Sequence, residues 1–439
     1  MLALLLTVLA EPQLRTLDSL PGLPYRPYSI ATALNDAGDA AGAVQGPLND
    51  LRPVIWSGGL LHELSVLPGD LEGSVHGLNN SGAACGQSIG AGHISAVLWS
   101  GGVALDLGHL GVPTSAAIAL NDAGVVVGNS YPAGNLYTHA FRWDPATGVM
   151  SDLGTVGGPY SAASSVDAAG NVYGVANNVA AMQYAVKWPA RGGAAVRLDS
   201  FGKLDFSSIA RGCSPSGLVV GDGYDLALGL RGFVWSSTGG FRLLPQPPGT
   251  EILRVIDVND AGQVLIHAAD LRLWIHDLNA DTWSIPEEQL PPFPRTALSS
   301  GYAINASGQI AGHGFDFVTS ATQAAWILSP APDGFGLGEP FPAKAGAANA
   351  LGAAGLTPGA VMHLVGGFQP GTAAVAGCSG LQVGIHQPTL LDTRIADARG
   401  VVEWTGVVLP HLLAGRRFLL QAIERPSCRI SNLSSVNFR

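Results

Sequence analysis

Leu34-Asn35-Asp36-Ala37-Gly38 opens a phrase that returns as Leu120-Asn121-Asp122-Ala123-Gly124 and, in altered form, five more times. The altered forms are Asn80-Ser81-Gly82, Asp167-Ala168-Ala169-Gly170, Ser214-Pro215-Ser216-Gly217, Asn259-Asp260-Ala261-Gly262 and Asn305-Ala306-Ser307-Gly308. Their final glycines follow one another at intervals of 42 to 47 residues. A near-constant period of this length indicates a repeat protein in which each repeat is one supersecondary unit.

Two further features keep the same rhythm. A second glycine follows four residues after the first in every repeat except the sixth, which has Ile266 instead: Gly42, Gly86, Gly128, Gly174, Gly221 and Gly312. A tryptophan then closes a short apolar run, which predicts one tryptophan per repeat packed in register between sheets: Trp56, Trp99, Trp143, Trp188, Trp235, Trp274 and Trp326.

Each repeat divides into four short strands. The third repeat predicts strands over Ala116–Leu120, Val125–Gly128, His139–Trp143 and Val149–Leu153. Its Asn-Asp-Ala-Gly segment reads as a tight turn, because Asn, Asp and Gly tolerate positive φ and bond back to the backbone. Four strands in about 45 residues are the unit of a β-propeller blade, so the sequence predicts an all-β chain with a seven-bladed propeller.

The N-terminal segment supplies the strand that the last repeat lacks. Gln13–Asp18 resembles the fourth strand of the other repeats, and no such strand follows Trp326. We therefore expect the N-terminal strand to complete the seventh blade and close the ring, which removes exposed sheet edges.

Composition excludes several classes of protein. Of the 439 residues, 12% are charged and 47% are hydrophobic, the reverse of a disordered chain. The formal net charge of −10 argues against nucleic acid as a partner. The 59 glycines follow the turn rhythm, so they do not indicate a phosphate-binding loop.

The third repeat also carries His139-Ala140-Phe141-Arg142-Trp143, followed by Asp152-Leu153-Gly154-Thr155. With its degraded copies, this resembles the HAF-type extracellular repeat family of bacteria, over roughly residues 12 to 328. The resemblance implies export and a propeller, and it brings no catalytic residues.

The chain begins with an apolar run, Met1–Ala10, which is too short to span a membrane and suits the apolar part of a short signal peptide. No transmembrane segment is expected. If the protein is exported, Cys378 and Cys428, both in the last hundred residues, are expected to form a disulfide. Cys85 and Cys213 occupy different positions of different repeats and are expected to be free and buried.

The repeat rhythm stops after residue 329. Residues 11–329 are therefore assigned to the propeller and residues 330–439 to a C-terminal domain. In that domain, apolar runs over Val361–Val365, Val401–Val408 and Phe418–Ile423 are separated by turn signals, which predicts a small β-sandwich.

Candidate ligand-binding residues are sought in the loops between second and third strands, because the turns of the opposite face are uniformly tight. Polar and aromatic residues of these long loops, with His139 at a loop end, are expected to form a mouth suited to a sugar or a peptide: Asn129, Tyr131, Tyr137, His139, Asp222, Tyr224, Asp225, His313 and Asp316. No metal-ligand spacing and no cofactor motif is found, and no catalytic residue can be assigned.

Three functions remain open at this point. The leading hypothesis is a secreted or cell-surface binding module that recognises an extracellular glycan or protein through its long-loop face. The second is a carbohydrate hydrolase or lyase that uses acidic loop residues such as Asp222, Asp225 and Asp316. The third is a structural surface protein.

Overall fold

A computed structural model describes most of the chain in detail. The described residues are 13–17, 28–58, 60–198, 207–225, 227–289, 296–316, 321–329, 336–337, 348–354, 356–357, 359–375, 378, 382–396, 402–408, 417–425, 427–430 and 434–437. The proposed signal peptide, residues 1–10, lies outside them. Within these ranges the regular structure is β-strand, apart from one short 3₁₀ helix at Pro286–Gln289.

In the described residues, the first part of the chain forms seven four-stranded antiparallel units, here called blades 1 to 7. Blades 2 and 3 are joined into one eight-stranded sheet by a single parallel pair, Thr114 with Ile94. The prediction of a propeller fold is confirmed. Successive strands of a blade pair in sequence order, from the first strand to the fourth. The strands are β1 (Gln13–Thr16); blade 1, β2–β5 (Ser29–Leu34, Ala40–Gln45, Leu51–Ser57, Leu60–Glu63); blade 2, β6–β9 (Glu72–Leu78, Ala84–Gly90, His93–Ser100, Val103–Asp106); blade 3, β10–β13 (Gly111–Leu120, Val126–Pro132, His139–Asp144, Val149–Asp152); blade 4, β14–β17 (Ser161–Val166, Val172–Asn177, Gln183–Trp188, Val196–Arg197); blade 5, β18–β21 (Ser207–Cys213, Val219–Asp225, Gly229–Ser236, Gly240–Leu243); blade 6, β22–β25 (Ile252–Val258, Gln263–Ala268, Leu273–Asp277, Thr282–Ser284); and, in blade 7, β26–β28 (Thr296–Ile304, Ile310–Asp316, Ala321–Ser329).

The N-terminal strand closes the ring as predicted. β1 pairs antiparallel with β28, in a register that runs from Gln13 opposite Ser329 to Thr16 opposite Trp326. Leu17 N–H extends the pairing by donating to the carbonyl of Ala325 at 2.8 Å. The first and last parts of the propeller are therefore joined within one sheet.

The residue that opens each tight turn joins its blade to the next one. The side chain of this residue accepts a hydrogen bond from the backbone N–H four positions later in all seven blades. Where the residue is asparagine, its Nδ2 also donates to the equivalent carbonyl of the following blade, at 2.8 to 3.3 Å. The seven residues, all buried, form what we call the turn ring: Asn35, Asn79, Asn121, Asp167, Ser214, Asn259 and Asn305.

The asparagines of the turn ring are not there to supply positive φ, as the sequence suggested. Positive φ in these turns belongs to the glycine, with values from 77° to 85°, and not to the asparagine. Asparagine is favoured because its side chain has both an acceptor for its own turn and a donor for the neighbouring blade. Asn305 closes the ring in the same way, by donating to the carbonyl of Asn35 at 2.8 Å.

Every first strand contains a β-bulge, which lies between the residues four and two positions before the turn-ring residue of that blade. The bulge brings the first strand so close to the second strand that a side chain on the second glycine has no room. At Gly128, for example, a Cβ would lie 2.0 Å from the carbonyl oxygen of Ala116. The same clash, at 1.9 to 2.1 Å, is found in all six blades that have this glycine, which explains why the repeat requires it.

The tryptophan register differs from the prediction in two blades. Five tryptophans pair with the first residue of their second strand: Trp56, Trp99, Trp143, Trp188 and Trp235. Trp274 and Trp326 stand two residues earlier in the third strand, opposite Ile266 and Gly312. Because side chains alternate with a period of two, this shift keeps both rings on the same face of the sheet. All seven are buried except Trp235, which is partly exposed.

The described C-terminal residues form two facing sheets and a separate two-stranded sheet (Pro370–Ala374 with Gln382–Ile385), so the β-sandwich prediction is confirmed. The strands are β29 (Gly336–Leu337), β30 (Ala348–Ala354), β31 (Val361–Gly367), β32 (Pro370–Ala374), β33 (Gln382–Ile385), β34 (Thr389–Ile395), β35 (Val402–Val408), β36 (Arg417–Arg425), β37 (Arg429–Ile430) and β38 (Ser434–Asn437). One sheet has the order β29-β30-β35, and the other is built on β34-β31-β36-β37 with β38 beside β36. Trp404 of the first sheet packs in one core with Met362, Leu364 and Leu420 of the second.

The disulfide prediction is also confirmed. Cys378 and Cys428 are bonded, with their Cα atoms 5.5 Å apart, and they stand 50 positions apart in the sequence. Cys85 and Cys213 are free as expected, although only Cys85 is fully buried. In the part of the chain described, no helix has the length and apolar character needed to cross a membrane.

Candidate functional site

The first strands of the seven blades line a central channel. In each strand the bulge turns one side chain, three residues before the turn ring, toward the channel, in keeping with the tendency of bulges to re-aim a side chain. These seven residues, one per blade, form what we call the bulge ring: Thr32, His76, Ile118, Ser164, Arg211, Ile256 and Tyr302. The blades therefore have the same backbone geometry at this position, while the side chain that faces the channel differs from blade to blade.

A cavity of about 290 Å³ lies between the bulge ring and the turn ring. Its walls include residues of all seven blades, and its size is at the low end for small-molecule sites. Hydroxyl, imidazole and guanidinium groups from the bulge ring face it together with apolar side chains. The cavity suits a single small group better than a long chain.

Two arginines converge on blades 5 and 6. Arg211 donates from Nε and Nη2 to the two carboxylate oxygens of Asp222, each at 3.0 Å. Arg254, on the first strand of blade 6, is exposed. Loss of solvation, and then the nearby charge of Arg211, lower the pKa of Arg254. The two guanidinium groups are therefore close enough to interact electrostatically. The whole chain has only 22 lysines and arginines.

Tyrosines surround these arginines. Desolvation raises the pKa of Tyr302, and the charge of Arg254 partly offsets this rise. The pKa of Tyr28 is also raised, mainly by desolvation and in smaller part by Tyr302. Desolvation likewise raises the pKa of Tyr160, which is within electrostatic reach of Arg211. We call Arg211, Arg254, Tyr28, Tyr160 and Tyr302 the arginine–tyrosine cluster.

Two histidines lie beside the cluster in uncharged form. His313 stacks on Tyr302 with ring centroids 5.6 Å apart and an interplanar angle of 20°. Desolvation lowers the pKa of His313, and desolvation followed by the charge of Arg254 lowers that of His267. At neutral pH neither histidine adds charge, and the two arginines lie beside one ion-paired carboxylate, that of Asp222.

A carboxyl group also lies within the channel wall. Asp257 faces the cavity and accepts a hydrogen bond from Ile304 N–H of the next blade at 3.1 Å. Desolvation raises its pKa to about 7. Cys213, also beside the cavity, has its pKa raised mainly by desolvation, so it is a weak nucleophile.

Three of the residues predicted from sequence are found at or next to the cluster. Asp222 holds Arg211, as described above. Tyr131 is close enough to Tyr160 to affect its pKa. His313 stacks on Tyr302.

Other predicted residues have structural roles. Asn129 accepts from Ala163 N–H of blade 4 at 2.9 Å, which ties two blades together. His139 contacts Asp152 through Nδ1 at 2.8 Å and Asn135 through Nε2 at 3.1 Å, which fixes the edge of blade 3. Because the Asn135 amide donates to Nε2, the proton of His139 is on Nδ1 and is donated to Asp152.

The remaining predicted residues are not brought to the cluster by any contact described. Asp225 accepts from two N–H groups of its own hairpin. Tyr224 and Tyr137 are about half exposed. The backbone of Asp316 pairs with Thr296 and Ala321, but its side chain lies outside the described part.

The expected loop position of these residues is wrong in most cases. The second strands are longer than predicted, so seven of these residues lie within second strands: Asn129, Tyr131, Asp222, Tyr224, Asp225, His313 and Asp316. His139 begins a third strand, as predicted, and Tyr137 lies in a loop. Arg211, Arg254 and Tyr302 were not predicted, because they lie on first strands and not in the loops. Counting three residues back from each turn would have found Arg211 and Tyr302.

Among the residues described, no group of three or more His, Cys, Asp or Glu side chains is placed to hold a metal ion. Two of the acidic residues proposed for the enzyme hypothesis are engaged in contacts within the protein. Asp222 is neutralised by Arg211, whereas Asp225 caps a hairpin.

Comparison with known proteins gives likeness of fold only. No family model and no curated protein sequence matches the chain. Solved β-propeller structures similar to it include TolB from Acinetobacter baumannii, with 18% identity over 49% of this chain and 54% of that one and a TM-score of 0.37. The chain thus spans about half the length of that TolB.

Two further propellers cover more of the chain. An oligogalacturonate lyase in complex with manganese has 9% identity, covers 73% of this chain and 98% of its own, and gives a TM-score of 0.49. YCF48 bound to D1 peptide has 9% identity, covers 73% and 96%, and gives a TM-score of 0.45. At such identities the ligands of these proteins carry no information about this one.

Proposed function

We propose that the protein is an exported binding module that recognises an extracellular carbohydrate or protein ligand through the long-loop end of its central channel. The observation that carries this proposal is the arginine–tyrosine cluster. Arg211 and Tyr302 line the cavity, and charge effects on pKa values link Arg254, Tyr28 and Tyr160 to them. Convergent polar and aromatic groups at a rigid concave surface are typical of ligand sites.

Two observations support export. The Cys378–Cys428 disulfide is of the kind that forms and persists in oxidising compartments. The third repeat matches the signature of the HAF-type extracellular repeats, and we propose that the chain is related to that family.

Binding is favoured over catalysis by the state of the carboxylates. Asp222 donates no proton and attacks no substrate while both of its oxygens are held by Arg211 and one also accepts from Val255 N–H at 3.3 Å. Its role is to orient Arg211 toward the channel.

The test is a glycan and peptide array probed with the purified protein, together with a general glycosidase screen. Tyr302→Ser is the channel variant, and Tyr137→Ser, which changes a half-exposed loop tyrosine, is the matched control. The proposal predicts array binding that Tyr302→Ser weakens and Tyr137→Ser leaves unchanged. Turnover without array binding, or equal binding by both variants, would contradict it.

A further inference from the structure

One positive charge of the cluster, that of Arg254, is not balanced by an ion pair within the part of the chain described. Asp222 occupies Arg211 in a two-point contact. Arg254 is exposed, and although the charge of Asp222 acts on it, no ion pair to it is found among the residues described. Its planar guanidinium group therefore has donors free to form a forked contact with a carboxylate or similar anion.

The two ends of the channel differ in charge. The turn face carries Asp36, Asp122 and Asp260 beside the cavity. Asp36 and Asp122 lie on either side of Asn80, whose Nδ2 donates to both at 2.8 and 3.0 Å, which leaves their negative charge in place. An anion is repelled by that end and attracted by the arginines, so it should approach from the long-loop end.

Peptide recognition by strand addition is disfavoured by the contacts of the first strands. Such recognition needs free backbone donors at a sheet edge. Several first-strand N–H groups already donate to side chains of the preceding blade: Ala163 to Asn129, Val255 to Asp222, Gly301 to His267 and Ile304 to Asp257. An incoming peptide would have to break these contacts.

The remaining lining suits a sugar ring. Tyr302 with its stacked His313, and Tyr28 and Tyr160 nearby, offer flat rings that have apolar faces and polar edges. Thr32 and Ser164 of the bulge ring add hydroxyl groups to the cavity wall.

From these observations we infer that the ligand is an acidic glycan, and that Arg254 binds the carboxylate of a uronic acid unit while the tyrosines contact its ring. This inference deepens the proposed function and depends on it. Arg211, held by Asp222 in a two-point ion pair, contributes to the orientation of the site.

The test is isothermal titration calorimetry with a linkage panel of hexuronate trimers, each compared with its carboxyl-reduced neutral counterpart and with the peptide Glu-Glu-Glu. At least one hexuronate trimer should bind ten times or more tighter than its reduced form, and its affinity should fall as salt is raised. Arg254→Gln should weaken that binding by about tenfold or more, the usual effect of losing a charged hydrogen bond. Arg254→Lys should retain part of it.

Arg242→Gln is the matched control, because Arg242 is exposed on the fourth strand of blade 5. Its binding should equal that of the unmodified protein. Equal binding of acidic and reduced trimers, tighter binding of the peptide, no binding of any hexuronate trimer, or an unaffected Arg254→Gln would each overturn the inference. If neutral glycans bind and Tyr302→Ser abolishes their binding, the proposed function survives without this inference; if no glycan or peptide binds, both fail.

Discussion

Removing one asparagine of the turn ring should measure what the ring contributes to stability. Asn121 is suited to this test because it makes two separable contacts. Its Oδ1 accepts from Val125 N–H at 3.0 Å within its own turn, and its Nδ2 donates to the Asp167 carbonyl of the next blade at 2.9 Å. The two substitutions Asn121→Ala and Asn121→Ser remove these contacts in different combinations.

The expected loss of unfolding free energy follows from the partners left behind. Asn121→Ser keeps an acceptor for Val125 N–H, as Ser214 does for Leu218 in blade 5, and it loses only the contact between blades. The Asp167 carbonyl still accepts from Gly170 N–H, so this variant should lose about 1 kcal/mol. Asn121→Ala also leaves a buried N–H without a partner, which raises the loss to about 2 to 4 kcal/mol.

The assay is equilibrium unfolding in urea, followed by tryptophan fluorescence. The midpoints should fall in the order unmodified, Asn121→Ser, Asn121→Ala, with similar dependence on urea concentration. Two variants within about 0.5 kcal/mol of the unmodified protein, the usual range for surface changes, would refute the idea that the ring links the blades.

Three further predictions concern other parts of the fold. Gly128→Ala should destabilise the propeller by more than about 3 kcal/mol or prevent folding, because its Cβ would lie 2.0 Å from the Ala116 carbonyl oxygen; a soluble variant with an unchanged urea midpoint would contradict this. The pKa of Asp257, raised by desolvation to about 7, means that the folded state keeps a proton which the unfolded state loses above pH about 4. The free energy of unfolding should therefore fall between about pH 4 and pH 7, and Asp257→Asn should reduce that fall; an equal pH slope for both proteins would count against it. Replacing Cys378 and Cys428, which enclose a 50-residue loop, by alanine should destabilise the C-terminal domain by up to about 4 kcal/mol, and differential scanning calorimetry should show the propeller transition unmoved.

The propeller was predictable because its turns and close contacts must recur in every blade. The glycine of each turn needs positive φ, and the second glycine needs to lack a side chain beside the bulge, so both leave a periodic mark in the sequence. The closing strand was predictable for a related reason, since the seventh repeat lacks a fourth strand and Gln13–Thr16 supplies it.

The tryptophan register and the role of the turn asparagines could not be predicted from the sequence. A shift of two residues preserves the face of a strand, so Trp274 and Trp326 looked equivalent to the others in sequence. The contact from Asn121 to the next blade joins residues 46 positions apart, and a local turn signal carries no information about it.

The channel residues were missed for a physical reason. A bulge inserts one residue without a characteristic composition, and the side chains that it turns inward vary from Thr32 to Arg211 to Tyr302. Variation of this kind gives no periodic signal, although it is the expected property of a site in which each blade contributes a different group.

The most direct test of the account is a crystal structure of the protein with the ligand identified on the arrays. The account predicts ligand density in the channel, within hydrogen-bond distance of Arg254 and in contact with the ring of Tyr302. Density confined to the outer surface of the blades or to the C-terminal domain, with the channel unchanged, would contradict it.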